Sequence, residues 1–153
     1  MQPAARAIAI AILSLVATSF VFAPAPATAA DNVADQRQEI ALDPTERAFV
    51  LAEMRGFLQS VEGIISALAS DRVADAQAPA AKSGMGVMHS VPPTLPKKLP
   101  KEFMMMGRAT HQAFDAIAQE SASMGDKTSV LKQLGTILNT CNTCHSSYRL
   151  AGG

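Results

Sequence analysis

Cysteine is scarce in this sequence: two in 153 residues, both inside the stretch Cys141-Asn142-Thr143-Cys144-His145. A framework of disulfides is therefore excluded as the source of the fold's stability. A structural zinc site needs about four ligands, usually from two such pairs, and no second pair exists. Strand signals are missing as well. No stretch alternates apolar and polar residues for long enough to make a convincing strand. Without a βαβ unit, a thioredoxin-like setting for the two thiols is lacking. Charge of one sign is also lacking: Lys plus Arg and Asp plus Glu stand at thirteen each, and no basic stripe offers a surface to nucleic acid. No internal repeat is found.

The long apolar run of the chain is at its N-terminus. Arg6 supplies a thin positive region, Ala7 to Ala23 is mostly apolar, and Pro24 and Pro26 break any helix. Ala27-Thr28-Ala29 then offers the small residues of a cleavage site. Ser14, Thr18 and Ser19 interrupt the run, which falls short of the ~20 residues that span a bilayer comfortably. Residues 1–30 read as a signal peptide, with an uncleaved anchor as the alternative, and 31–153 as one exported domain of ordinary size. A periplasmic location is expected. Loss of Arg6 leaves one more acid than base.

Two cysteines three apart, followed at once by histidine, form the attachment signature of c-type haem. The thiols supply thioether links to the porphyrin vinyl groups, and the imidazole supplies an iron ligand. Cys141, Cys144 and His145 stand at i, i+3 and i+4, so one helix face carries all three. That face continues an apolar series through Val130, Leu134, Ile137, Leu138 and on to Tyr148. One covalent haem c is the expected cofactor, with His145 on the metal.

The mature chain reads as four helices. Asp31 to Ile40 is expected to be a loose lead-in. Asp43-Pro44-Thr45-Glu46 is a helix start with a capping residue, proline at the first position and a capping-box glutamate. Beyond it, Leu51, Met54, Leu58, Val61, Ile65 and Leu68 step by three and four. A short second helix is expected from a Ser70-Asp71 cap to Pro79, followed by a stiff, extended, Pro-rich connection to Pro100. The third helix faces inward with Phe103, Met106, Gly107, Thr110, Ala113, Phe114, Ile117 and Ser121. Met124-Gly125 ends it, and Asp126 caps the last helix. The fold expected is all-α: an antiparallel four-helix bundle with a short second helix and haem on the C-terminal helix.

Cys141 to Arg149 reads CNTCHSSYR. It resembles the C-terminal signature of the cytochrome c′ family, CxxCHxxYR. The likeness extends to the capped first helix, the total length and the export signal. The resemblance implies that Cys141 and Cys144 hold the haem and that His145 is the proximal ligand. It places Arg149 beside the proximal pocket, and it matches Arg47 and Leu51 to the family's first-helix arginine and distal-face residue. Met54 is then a core residue one turn on. The chain departs from the family pattern in its short second helix, its Pro-rich connection and its lack of tryptophan.

Several side chains have two readings. Tyr148 is a haem neighbour or a core residue, and Arg149 tunes the proximal side or complements the helix dipole. Arg47 pairs with a propionate or is solvated. His111, on the flank of the third helix, is expected at the surface, and His89 is expected to be solvated. At most one of Met104, Met105 and Met106 can face the haem. The expected function is electron transfer to a periplasmic redox partner. The alternative is binding of a small neutral gas such as nitric oxide at an open distal site. Leu51 over the iron gives the open site; Met54 as sixth ligand closes it. An enzyme would need a polar acid–base pair, for which only His111 with Arg47 could be offered, so none is expected. A homodimer is a further partner class.

Overall fold

A computed structural model describes residues 34–123 and 125–151. Residues 35–153 form one unit and residues 1–34 another; the first is described below. The signal peptide assigned to residues 1–30 lies outside the described residues.

The Asp43-Pro44-Thr45-Glu46 start forms as its residues demand. Asp43 Oδ1 accepts from the amides of Thr45 and Glu46, at 3.0 and 2.9 Å, while Glu46 Oε2 accepts from the Asp43 amide at 3.2 Å. From there α1 runs over Pro44–Ala69. Asp71 does not cap the next helix. It takes a φ of 54° and ends α1, with the Arg72 amide reaching back to the Ala67 carbonyl at 3.0 Å. Aspartate here holds the left-handed position that glycine usually fills.

A 3₁₀ turn over Val73–Ala76 leads into α2, Gln77–Ala81. Pro79 falls inside α2 rather than ending it, because the first turn has no acceptor for the missing amide. Gly63 lets α1 and α2 approach: a Cβ there would stand 2.7 Å from the Pro79 side chain. The Pro-rich connection is coiled rather than extended, with 3₁₀ turns at Met85–Ser90 and Leu95–Lys97. The last two helices are α3, Lys101–Ala122, and α4, Lys127–Ser147, where Asp126 caps through the Ser129 amide. The described residues are mostly helical, in four α-helices.

Two short strands were not expected. The lead-in forms β1 at Gln38–Ile40, and α4 stops at Ser147 so that Tyr148–Leu150 can form β2. They pair in parallel, with Glu39 opposite Arg149. Three residues are too few to print a period-two pattern. The pairing puts the start of α1 beside the end of α4. At the other end, Lys127 meets Asp71 at 2.6 Å.

The closed core lies toward that second end. Ile64, Ala67 and Leu68 of α1 meet Ala76, Ala80, Phe114, Ile117, Val130, Leu134 and Ile137. On α1 the buried series is Val50, Ser60, Ile64, Ala67 and Leu68, with Phe57 packed against the core. Leu58 and Ile65, expected to face inward, are exposed. Leu138 of α4 is exposed as well.

Candidate functional site

The last two turns of α4 set Cys141 and Cys144 half-buried and His145 beside them, exposed. Both thiols are free. Burial pushes both thiol pKa values up, and at Cys144 the neighbouring Cys141 adds to the effect. They are therefore held as neutral S–H groups at neutral pH. The backbone at His145 is fastened from outside α4, where the Arg37 guanidinium donates to its carbonyl oxygen at 3.3 Å.

A cavity of about 320 Å³ opens beside these three residues. Its walls come from Val50, Met54 and Phe57 on α1, Phe103, Gly107 and His111 on α3, and Met88, Leu95 and Leu99 on the connection. Leu51, Leu58, Phe114 and Leu134, each read on an apolar helix face, are not among these walls. Leu58 is exposed, and Phe114 and Leu134 belong to the closed core. Gly107 keeps the α3 wall low, since a Cβ there would meet nothing within 4 Å. The coiled connection is tied over the cavity by Leu95, which is 2% exposed, and by Lys98 and Thr94, which hold the Glu46 carboxylate at 2.6 and 2.7 Å.

A second cavity of about 310 Å³ reaches Cys144 and His145 as well. Arg37, Arg47, Leu51, Tyr148 and Arg149 line it. Val50, Met54, Phe103, Cys144 and His145 border both cavities, whereas Leu51 borders the second but not the first. Of the residues singled out from the sequence, Met54 thus stands with the motif in both spaces. Arg47 donates through Nε to the Ala151 carbonyl at 3.3 Å. Tyr148 meets Phe103 edge-on, with ring centroids 5.5 Å apart. Arg149 sits on β2, not on a continuing helix turn, and pairs with Glu39 and Asp35.

His111 departs most from its expected place. It is 5% exposed, not at the surface, and it lines the first cavity. Its Nδ1 lies 2.8 Å from the Ser83 carbonyl oxygen, Nε2 lies 3.6 Å from Glu53 Oε2, and the ring packs on Phe57 at 4.9 Å. Arg47 lines the other cavity, so the pairing of His111 with Arg47 does not occur; the carboxylate of Glu53 stands there instead. One signal could have found it: Gly107, His111, Phe114 and Ala118 follow at i, i+4, i+7 and i+11, one helix face. Arg37, Glu53 and the connection's Met88 and Leu95 were also missed.

The donor set and the space suit a covalently held flat cofactor. Two neutral thiols and an imidazole border a mostly apolar cavity whose lining includes Gly107. Among the described residues, no group of three or more His, Cys, Asp and Glu is arranged to hold an ion by itself. Among them, too, no helix is long and apolar enough to cross a membrane. Comparison with family models, curated proteins and solved structures finds no match to the chain.

Proposed function

We propose that this chain is an exported, periplasmic c-type haem protein of the cytochrome c′ type, an antiparallel four-helix bundle that transfers electrons to a redox partner. The reading rests on one juxtaposition: the two thiols of CxxCH, its imidazole and the Met54 thioether border the same apolar cavity. When bound, haem c supplies an iron that alternates between ferric and ferrous states. The chain's residues do the rest. Cys141 and Cys144 would hold the haem through thioether links to its two vinyl groups. His145 would ligate the metal, and Met54, which borders both cavities, is the candidate for a second protein ligand. Phe49, Val50, Phe57 and Leu99 give the first cavity an apolar lining, which would favour the less charged state of the iron site.

A second reading is binding of a small neutral ligand such as nitric oxide. The apolar lining beside the motif favours it, because charged ligands are costly to desolvate there. Leu51, on the second cavity, is the residue that would leave the metal open. Resonance Raman of the ferrous holoprotein separates the two. The electron-transfer reading predicts low-spin bands in the wild type, conversion to high-spin in Met54→Ala and no conversion in Leu51→Ala. High-spin bands in the wild type, unmoved by Met54→Ala, would contradict it and favour the second reading.

A further inference from the structure

The first cavity is apolar around the CxxCH residues, yet its lining includes the Glu53 carboxylate and the His111 imidazole. Neither belongs to the motif. His111 is 5% exposed. The Ser83 oxygen, 2.8 Å from Nδ1, is a carbonyl and can only accept. Nδ1 therefore carries the hydrogen, and in the neutral ring Nε2 presents a lone pair. Opposite it, at 3.6 Å, is Glu53 Oε2, a second acceptor. That separation exceeds the usual ~2.7–3.2 Å of a direct N–H···O bond. Among the described residues no other hydrogen bond is made by the Glu53 side chain or by Nε2. In the neutral ring, Nε2 and the Glu53 carboxylate are thus neighbouring acceptors on the wall of a mostly apolar cavity, which Arg108 also lines.

The ring is held for this. Ser83 is 4% exposed, its hydroxyl lies 2.7 Å from Ser60 Oγ, and its carbonyl fixes His111, while Phe57 covers the ring.

We propose that Glu53 and His111 form an acceptor pair that binds the N–H or O–H of a small neutral nitrogen or oxygen ligand held at the cofactor's metal. The inference rests on the haem and ligand-binding readings above, and it narrows the ligand class from neutral diatomics to hydrogen-bearing molecules. It does not need a vacant resting metal, since a nitrogen ligand at sufficient concentration would displace a thioether. One end of the ligand takes the metal. Its hydrogen, on the far end, goes to the pair.

The test uses the full haem-loaded ferric protein and two probes, imidazole and 1-methylimidazole, which differ in a single N–H. Optical titration gives a dissociation constant for each. In the wild type imidazole should bind about tenfold tighter, the size of one hydrogen bond to a charged acceptor. In Glu53→Leu the ratio should fall to near one, and Glu53→Gln, which keeps an amide oxygen, should retain most of it. Circular dichroism checks that both variants fold. A preference for imidazole that survives Glu53→Leu unchanged overturns the proposal, because it is then steric. If neither azole binds the loaded protein, the ligand-binding reading fails and the proposal falls with it. If no haem-loaded protein can be made, the haem reading fails first. A ferric wild-type spectrum that loses nitrogen ligation in His111→Gln would put this imidazole on the metal, and that too overturns the pair.

Discussion

Glu46 is 2% exposed, and its carboxylate serves three partners at once: the Asp43 amide, the Thr94 hydroxyl and the Lys98 ammonium. The Lys98 hydrogen bond, with Thr94 second, holds Glu46 below the ordinary glutamate value of 4.5. Asp43 is lowered too, first by the Glu46 amide of the capping box and then by Lys98. A carboxyl whose folded pKa is depressed contributes stability above its unfolded value, and loses it as pH falls through the folded value. The tie between the connection and α1 should therefore weaken below about pH 4.5. Urea unfolding followed from pH 7 to pH 3 checks this. The midpoint of the wild type should drop across the acid limb, and Glu46→Gln should be less stable at pH 7 with a shallower limb. Parallel limbs would show that Glu46 carries none of the dependence.

At the scale of one helix, α1 carries two apolar series a single residue apart. Val50, Phe57 and Ile64 make one, and Leu51, Leu58 and Ile65 the other, each at seven-residue steps. Periodicity alone cannot choose between them, since both satisfy the helical repeat. Packing chooses the first: Ile64 is 0% exposed and Leu58 69%. Replacing Ile64 by alanine should cost about 2–5 kcal/mol, and Leu58→Ala within about 0.5 kcal/mol, in denaturant unfolding. Equal costs would return the inward face to the second series. The legible parts of the chain were those with strong local chemistry. The capping box at Asp43 and the cap at Asp126 each report on a few adjacent residues, and they stand where they were read. What could not be read depends on distant partners. β1 needs β2, some 110 residues away (Gln38 opposite Tyr148); His111 needs Ser83 and Glu53; the coil of residues 85–98 needs α1 to lie against.

Among its described residues, the unit of residues 35–153 is filled at one end and hollow at the other. The closed core occupies the end of α1, the end of α3 and the start of α4, while the opposite halves of the same helices surround the cavity beside Cys144 and His145. This division explains how a chain can keep a stable fold and still leave room for a large apolar group. The packed half supplies burial, and the hollow half is bridged by the connection and by the β1–β2 pair. The proposed covalent cofactor is the natural content of the hollow half, and its attachment is the claim on which the rest depends. The intact mass of the protein, purified from a host that attaches c-type haem, tests it most directly. The account predicts a gain of one haem, resistant to acid–acetone extraction and absent when Cys141 and Cys144 are both replaced by alanine. A metal-free protein carrying two titratable thiols, recovered from the same host, would contradict it.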